Sequence, residues 1–244
     1  MADPLWAILS DPGKQDNRWE LQQFMETGES ELSALFARLE QLGLTPPTDR
    51  ALDFGCGVGR LSQAMATRFE TVDGVDISEP MLDLARRSNR FQGQCSYQLN
   101  VRPDLEIYPD DSFTFVYSNI TLQHIPPRLA LGYIAEFVRV VRHDGLAVFQ
   151  LTSHFRSPIL RLRRWLGTSS PALHGLYRIL WHGGEPPPVS PYPMYWIPSR
   201  RVQAHIQASG GDLVMLDHDS SAPPEWVSYR YYVRKSGGPA RPAP

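Results

Sequence analysis

Three alternate glycines, Gly55, Gly57 and Gly59, constrain this chain more than any other feature. They follow a short apolar run at residues 51–54, which predicts a strand, and they lead into residues 58–69, which predict a helix. Because Gly55 and Gly57 lack a Cβ, the backbone can turn tightly there and approach a ligand closely. The helix start beyond the turn offers free N–H groups and the positive end of the helix dipole, which suit an anionic group. The pattern therefore predicts a ligand-binding strand–turn–helix unit.

An acidic residue follows at the position that such a unit requires. Asp76 ends the next predicted strand, residues 71–76, about 20 residues after the first glycine. An acid there can accept hydrogen bonds from ribose hydroxyls, and Ile77 beside it can cover one face of an adenine. The glycine spacing differs from the dinucleotide-binding fingerprint, since the third glycine comes one position early and is followed by Arg60. We therefore predict a nucleoside site with a different subtype of turn.

Strands and helices alternate along residues 50–152. Ser78 is the expected N-cap of the second helix, and Pro80 lies in its first turn. Near-continuous apolar strands separated by helices indicate an α/β fold with a parallel sheet covered on both faces. Beyond the first strand–turn–helix unit and strand 71–76, the predicted elements are helices 79–89, 127–141 and 200–209 and strands 96–99, 113–118, 146–151, 213–216 and 229–234, with a turn at residues 144–145.

The segments that flank this alternation differ from it in composition. An amphipathic helix is predicted at residues 29–42, within an N-terminal segment that we expect to cover the site. Residues 153–198 break the rhythm with an Arg-rich apolar stretch and a Pro-rich aromatic run, and a connection this long is typical of a lid or substrate-binding insertion. The predicted organisation is an N-terminal helical segment 1–49, a main domain 50–235 that contains the insertion 153–198, and a disordered Gly/Pro-rich tail 236–244.

Five stretches of the chain together match a known pattern. They are residues 52–60 (LDFGCGVGR), 74–78 (GVDIS), 109–118 (PDDSFTFVYS), 122–125 (LQHI) and 141–145 (VRHDG). With these stretches the chain resembles the class I S-adenosylmethionine-dependent methyltransferases, firmly over residues 50–152 and loosely over the last helix and strands. The resemblance implies a Rossmann-like, doubly wound seven-stranded sheet of order 3-2-1-4-5-7-6 with the last strand antiparallel.

The resemblance also implies how S-adenosylmethionine binds. The glycine turn is expected under the methionine part, and Asp76 is expected to bind the ribose. Ile77 and Met81 are expected to flank the adenine, with Asn100 and Val101 at its amino edge. Many family members have an acid at that edge, but the amide oxygen of Asn100 can also accept a hydrogen bond from an amino group.

Further cofactor contacts follow from the same resemblance. Asn119, just past the fourth strand, is expected near the methionine part, and Arg60 can meet the methionine carboxylate. Trp19 and Phe24 precede the core in a segment that often folds over the cofactor in related enzymes. Cys56 lies inside the glycine turn and is expected among the cofactor-binding residues, with a small packed side chain and not a reactive thiol.

Candidate residues for the reaction follow the fourth and fifth strands. His124 lies where the reactive end of the cofactor is expected, so it is either a general base or a structural histidine that hydrogen-bonds the backbone. Tyr192, Tyr195 and Trp196 either line a substrate pocket or pack the insertion on the sheet. The Arg-rich stretch of the insertion is either a lid helix with a solvated basic face or a contact for an acidic substrate or an anionic membrane.

Composition limits the remaining choices. The 244 residues carry a formal net charge of −2, which argues against bulk binding of nucleic acid. The two cysteines allow neither a disulfide framework nor a Cys-rich zinc site, and we expect no metal cofactor. No apolar stretch is long enough to cross a membrane, which leaves peripheral membrane contact open. We expect a cytoplasmic monomer or homodimer.

The predicted function is transfer of a methyl group from S-adenosylmethionine to a small organic acceptor, including a lipidic or natural-product acceptor, with S-adenosylhomocysteine as product. Two alternatives remain from the sequence. One is a methyltransferase that acts on a protein or RNA, which requires a basic or extended docking surface. The other is a non-methylating S-adenosylmethionine-binding protein on the same fold.

Overall fold

A seven-stranded sheet forms the centre of the computed structural model, which describes residues 3, 5, 8, 9, 12–14, 16, 18–157 and 193–237. The strands are β1 (Arg50–Phe54), β2 (Thr71–Asp76), β3 (Cys95–Leu99), β4 (Phe113–Ser118), β5 (Val141–Phe155), β6 (Gly211–Asp219) and β7 (Trp226–Lys235). Their order is β3-β2-β1-β4-β5-β7-β6, and β7 runs antiparallel to both of its neighbours. The predicted fold class and strand order are confirmed.

Helices cover both faces of the sheet. They are α1 (Leu21–Leu42), α2 (Arg60–Met65), α3 (Glu79–Arg87), α4 (Pro127–Val140) and α5 (Ser199–Ala208), with 3₁₀ turns at Pro12–Lys14 and Leu122–His124. Apolar side chains of α4 and α5 pack on one face, and those of α1 and α2 pack on the other. Burial on both faces explains why the inner strands read as almost continuously apolar.

Several element bounds differ from the sequence prediction. Helix α1 begins at Leu21 and not at residue 29, because Phe24, Met25 and Gly28 continue its buried face toward the N-terminus. Helix α2 covers only Arg60–Met65 of the predicted 58–69, since Gly59 has a left-handed backbone (φ 81°) and still belongs to the turn. Ser78 is the N-cap of α3 as predicted, with Pro80 in the first turn, but its side chain makes no capping hydrogen bond.

The turn predicted at residues 144–145 is instead an irregularity within one long strand. Strand β5 pairs with β4 through Val141 opposite Phe113 and then through Leu146 opposite Phe115, so the intervening residues are accommodated by a shift in register. Strands β6 and β7 also exceed their predicted lengths, because they pair with each other along almost their whole extent. Most of the predicted insertion (residues 158–192) and of the tail (residues 238–244) lies outside the described residues.

Candidate active site

The glycine turn after β1 has the left-handed backbone that its glycines permit. Gly55 and Gly57 have φ values of 77° and 53°. The N–H groups of Gly55 and Cys56 both donate to the carbonyl oxygen of Val75, at 2.8 and 3.1 Å. A Cβ on Gly55 would collide with the side chain of Thr121, which packs against the turn from the end of β4. The turn is therefore fixed by β2 on one side and by the segment after β4 on the other.

Asp76 joins this turn to the end of β2. One carboxylate oxygen accepts from the Gly57 N–H at 2.9 Å, and the other accepts from the Ser78 N–H at 2.8 Å. The backbone carbonyl of Asp76 in turn accepts from the Asn100 N–H at 3.0 Å, which ties in the end of β3. Each carboxylate oxygen retains acceptor capacity beyond its one backbone bond. The two main-chain bonds therefore orient an acid that can still receive ligand hydroxyls.

A cavity of about 480 Å³ opens at the carboxyl ends of β1, β2 and β4. This size is within the range of small-molecule sites, and the edge is where ligands of open α/β sheets bind. The exposed side chain of Ile77 lies beside Asp76 at the rim. The sequence-predicted residues that line the cavity are Gly55, Gly57, Asp76, Ile77, Met81, Asn100, Asn119 and His124.

The remaining predicted residues do not line this cavity. Trp19 and Phe24 stack edge to face, 5.6 Å between ring centroids, in a small apolar cluster with Val58 and the cavity residue Met81. Cys56 is buried, and burial raises the pKa of its thiol well above the usual value, as expected for a packed residue. The other predicted residues outside the lining are Arg60, Val101, Tyr195 and Trp196, while Tyr192 lies outside the described residues.

Arg60 and Asn100 are already engaged within the protein. The guanidinium group of Arg60 forms an ion pair with Glu31 of α1 at 2.8 Å and hydrogen-bonds Thr27 at 3.3 Å. Contact between Arg60 and a methionine carboxylate therefore stays a prediction. The side-chain oxygen of Asn100 accepts from the Arg102 N–H at 3.1 Å and retains a second lone pair, and its contact with an adenine amino group stays a prediction.

The cavity wall that follows β4 is held by a chain of buried side-chain amides. Ile120 has φ 58°, an unfavourable conformation for a β-branched residue, and its N–H donates to the side-chain oxygen of Gln150 at 3.2 Å. The Gln150 amide nitrogen donates to the side-chain oxygen of Gln123 at 3.1 Å and to Ser228 at 2.6 Å. The Gln123 amide nitrogen lies 3.3 Å from Nε2 of His124. We call Gln150, Gln123 and His124 the amide chain.

The direction of these bonds assigns the proton on His124. Because the Ile120 N–H fixes which end of Gln150 is the oxygen, the Gln123 amide presents its N–H₂ group to His124. Nε2 must then be the acceptor nitrogen, and Nδ1, 3.1 Å from the carbonyl oxygen of Pro193, must carry the proton. Burial lowers the pKa of His124 below its usual value, which also favours the neutral ring.

The end of the predicted insertion is attached to the same wall. The Tyr195 N–H donates to the carbonyl oxygen of Gln123 at 2.7 Å, and the Tyr195 carbonyl accepts from Thr152 at 2.5 Å. The Ile197 N–H donates to the Thr152 carbonyl at 3.0 Å, so this segment runs along the end of β5. Tyr195 and Trp196 thus lie close to the cavity wall that follows β4 without lining the cavity. Their contact with a substrate stays a prediction.

Sequence reasoning missed Glu31, Thr121, Gln123 and Gln150. Each acts through a contact with a residue far away in the chain or through a side-chain orientation, so no local motif marks it. Gln123 did stand next to His124 in the LQHI stretch, but its role depends on Gln150 from another strand.

Two further observations concern metals and membranes. Within residues 18–157, 193–237 and the few described near the N-terminus, no three His, Cys, Asp or Glu side chains are grouped to hold a metal ion. In that same part of the chain, no helix is both long enough and apolar enough to cross a membrane.

Comparisons with known proteins agree with this geometry. Residues 52–149 match the family model described as a methyltransferase domain. The chain is 36% identical over 140 residues to phosphoethanolamine N-methyltransferase 1 of Arabidopsis thaliana, a match that covers 56% of this chain and 27% of that protein. It is 34% identical over 119 residues to demethylmenaquinone methyltransferase of Lactobacillus johnsonii, covering 47% of this chain and 48% of that protein. The chain thus spans about half or less of the length of these relatives.

A solved structure shares the fold over nearly the whole chain. The magnesium protoporphyrin IX methyltransferase of Synechocystis, solved with bound S-adenosylhomocysteine, superposes with a TM-score of 0.61 at 16% identity. The superposition covers 96% of this chain and 98% of that one. The family-model match over residues 52–149, the strand order and the glycine turn together support a methyltransferase domain of the class I S-adenosylmethionine-dependent type in this part of the chain.

Proposed function

We propose that this protein transfers the methyl group of S-adenosylmethionine to a small organic acceptor and releases S-adenosylhomocysteine. The observation that carries the proposal is the cavity at the glycine turn, where Asp76 is oriented by the N–H groups of Gly57 and Ser78. An acid so placed at the end of β2 is suited to the two ribose hydroxyls of a nucleoside. The match of residues 52–149 to a methyltransferase domain supports the same conclusion.

The residues around the cavity fit the cofactor chemically. Ile77, 72% exposed beside Asp76, offers apolar surface that an adenine ring would remove from water. Met81 also lines the cavity and is itself buried. Asn119 lines the cavity, and its side-chain oxygen is buried without a hydrogen-bond partner among the described residues, as expected of an acceptor that a ligand ammonium satisfies.

The protein's task in such a reaction is alignment. When bound, the cofactor supplies a methyl group that is already electrophilic, so the acceptor atom forms its bond to that carbon as the carbon–sulfur bond breaks. The glycine turn and Asp76 hold the nucleoside, while the wall from Asn119 to Pro126 faces the space left for the acceptor. Holding the two reactants in line and excluding water accounts for most of the expected acceleration.

His124 is the proposed general base for a hydroxyl acceptor. It lines the cavity, and the amide chain leaves its Nε2 without a proton. The 3.3 Å contact of Nε2 with Gln123 is long for a hydrogen bond, so an acceptor hydroxyl can replace it. The hydroxyl proton then passes to Nε2, while the Nδ1–H group keeps its hydrogen bond to the carbonyl oxygen of Pro193.

A small acceptor fits the chain better than a macromolecule. The formal net charge of −2 gives no excess of positive charge for RNA, and the cavity lining includes the apolar side chains Ile125 and Leu129. The relatives reported above are named for phosphoethanolamine, demethylmenaquinone and magnesium protoporphyrin, all of them small molecules. We propose that residues 153–198 supply acceptor recognition, since residues 193–197 are hydrogen-bonded to the cavity wall that follows β4 and to the end of β5.

Transfer of isotope-labelled methyl from S-adenosylmethionine is the direct test. The protein is incubated with the labelled donor and, separately, with a metabolite panel, total protein and total RNA, and label and S-adenosylhomocysteine are both quantified. We expect label in a small metabolite, with an equal amount of S-adenosylhomocysteine released. Label found only in protein or RNA, or bound donor without transfer to any acceptor, would contradict the proposal.

A further inference from the structure

Helix α1 makes an unusually close contact with the start of α2. A Cβ on Gly28 would lie 2.6 Å from the carbonyl oxygen of Arg60 and 2.8 Å from its Cγ, so only glycine permits the two helices to approach this far. One helical turn later, at the i+3 position, Glu31 emerges on the same side of α1. The close approach therefore brings the Glu31 carboxylate to the carboxyl end of β4.

Glu31 accepts hydrogen bonds from three donors there. One oxygen accepts from the Tyr117 hydroxyl at 2.9 Å and from the Asn119 amide nitrogen at 2.7 Å. The other accepts from the Arg60 guanidinium at 2.8 Å. Burial raises the pKa of Tyr117 well above its usual value, so its hydroxyl remains a donor. The carboxylate is thus surrounded by donors and compensated by one buried cation.

These bonds fix the orientation of the Asn119 amide. Its nitrogen donates to Glu31 and also lies 3.4 Å from the Ser221 hydroxyl oxygen, so both of its N–H groups face acceptors. Turning the amide over would place the Asn119 oxygen against the Glu31 carboxylate, which is repulsive. The Asn119 oxygen is therefore kept on the other side of the amide, buried and without a partner among the described residues.

We propose that Glu31 is a positioning residue for the cofactor: it holds the Asn119 amide so that its oxygen accepts from the α-ammonium group of the bound nucleoside. The inference rests on the proposed function, and it assigns α1 a part in the cofactor site through Asn119, although α1 itself contributes no residue to the cavity lining.

Two nucleosides separate this role from a merely structural one. S-adenosylhomocysteine carries the amino-acid group, whereas 5′-methylthioadenosine has the same adenosine and thioether without it. In Glu31→Gln, the one remaining oxygen is drawn to the cationic Arg60, so the N–H₂ group faces Tyr117 and Asn119 and the Asn119 amide loses its fixed orientation. We expect calorimetry to show about tenfold weaker binding of S-adenosylhomocysteine and a change within about twofold for 5′-methylthioadenosine.

Matched variants complete the experiment. Glu40→Gln makes the same charge change at an exposed position of α1 and should leave both affinities unchanged. In an Asn119→Ala background, Glu31→Gln should have no further effect on S-adenosylhomocysteine, because the two residues act as one unit. If Glu31→Gln does not fold because Arg60 is left unpaired, Glu31→Gln/Arg60→Gln removes both charges and is compared with Arg60→Gln, relative to which it should show the same selective loss.

The outcomes are distinct. Equal weakening of both nucleosides by the Glu31 variants would overturn the positioning role while leaving cofactor binding intact. Additive effects of the Asn119 and Glu31 changes would overturn it as well. Failure of the unaltered protein to bind either nucleoside would overturn the proposed function, and this inference with it.

Discussion

The two walls of the cavity are built in different ways. The wall around Gly55, Gly57 and Asp76 is held by main-chain hydrogen bonds within one strand–turn–helix–strand unit. The wall that follows β4 is held by side chains from distant parts of the chain, among them Glu31 and Gln150. We call them the nucleoside wall and the acceptor wall. From this difference we infer that the first wall supplies a fixed nucleoside site, and that the second supplies groups for the amino-acid end of the cofactor and for the acceptor, whose orientation depends on distant side chains.

The largest effect is expected on the acceptor wall. If His124 is the base, His124→Ala should lower the single-turnover rate by about 10²–10⁴-fold and leave S-adenosylhomocysteine affinity unchanged, because the nucleoside wall does not depend on it. With a lowered pKa, His124 should give a rate that rises with pH below about 6.5 and is level above it. Rapid-quench single turnovers across pH measure both properties.

His124→Gln is the matched control for packing, since the new amide can keep one of the two hydrogen bonds that His124 makes with Gln123 and Pro193. A normal rate and a normal pH profile in that variant would return His124 to a structural role, as an anchor for Pro193.

On the nucleoside wall, Asp76→Ala should weaken S-adenosylhomocysteine binding by about 1.5–3 kcal/mol, the loss expected for hydrogen bonds to a charged group. Calorimetry measures the affinity. Asp83→Ala, which removes an exposed carboxylate from α3, serves as the control and should bind normally. Unchanged affinity in Asp76→Ala would mean that the ribose does not bind at this wall.

The smallest expected effect is a shift in the pKa of His124, and it tests whether the amide chain controls the protonation of that ring. Gln123→Glu keeps an acceptor for Gln150 but places a carboxylate against Nε2 of His124, which stabilises the protonated ring. The pKa of His124 should therefore rise by about one unit, moving the acid limb of the rate to higher pH. Nitrogen-15 NMR of the imidazole measures the pKa and the tautomer directly.

Gln123→Met fills the same space without the hydrogen bonds to Gln150 and His124, and it should not raise the pKa of His124. An unchanged His124 titration in Gln123→Glu would show that the amide chain does not set the state of the ring.

The two walls also differ in how far the sequence predicts them. The nucleoside wall follows from local rules: alternate glycines require a left-handed turn, and an acid about 20 residues later ends the neighbouring strand. Strand β2 therefore has its predicted bounds, and Asp76 ends it as expected. The start of α1 was misplaced because Gly28 interrupts the apolar pattern, although its lack of a side chain is what lets α1 meet Arg60.

The acceptor wall depends on contacts that no local pattern encodes. The direction of the Gln123 amide is fixed by Gln150, whose own direction is fixed by the Ile120 N–H. The strained backbone of Ile120 and the partner of His124 on Pro193 are likewise tertiary effects. Sequence reasoning could name His124 as a candidate, but the proton on its ring follows only from the three-dimensional hydrogen-bond network.

Calorimetry of the unaltered protein with S-adenosylhomocysteine and with NADH tests the central claim most directly, because both ligands carry an adenosine and only one suits this subtype of glycine turn. We predict micromolar-range binding of S-adenosylhomocysteine, and no detectable binding of NADH. Binding of NADH without binding of S-adenosylhomocysteine would contradict the account.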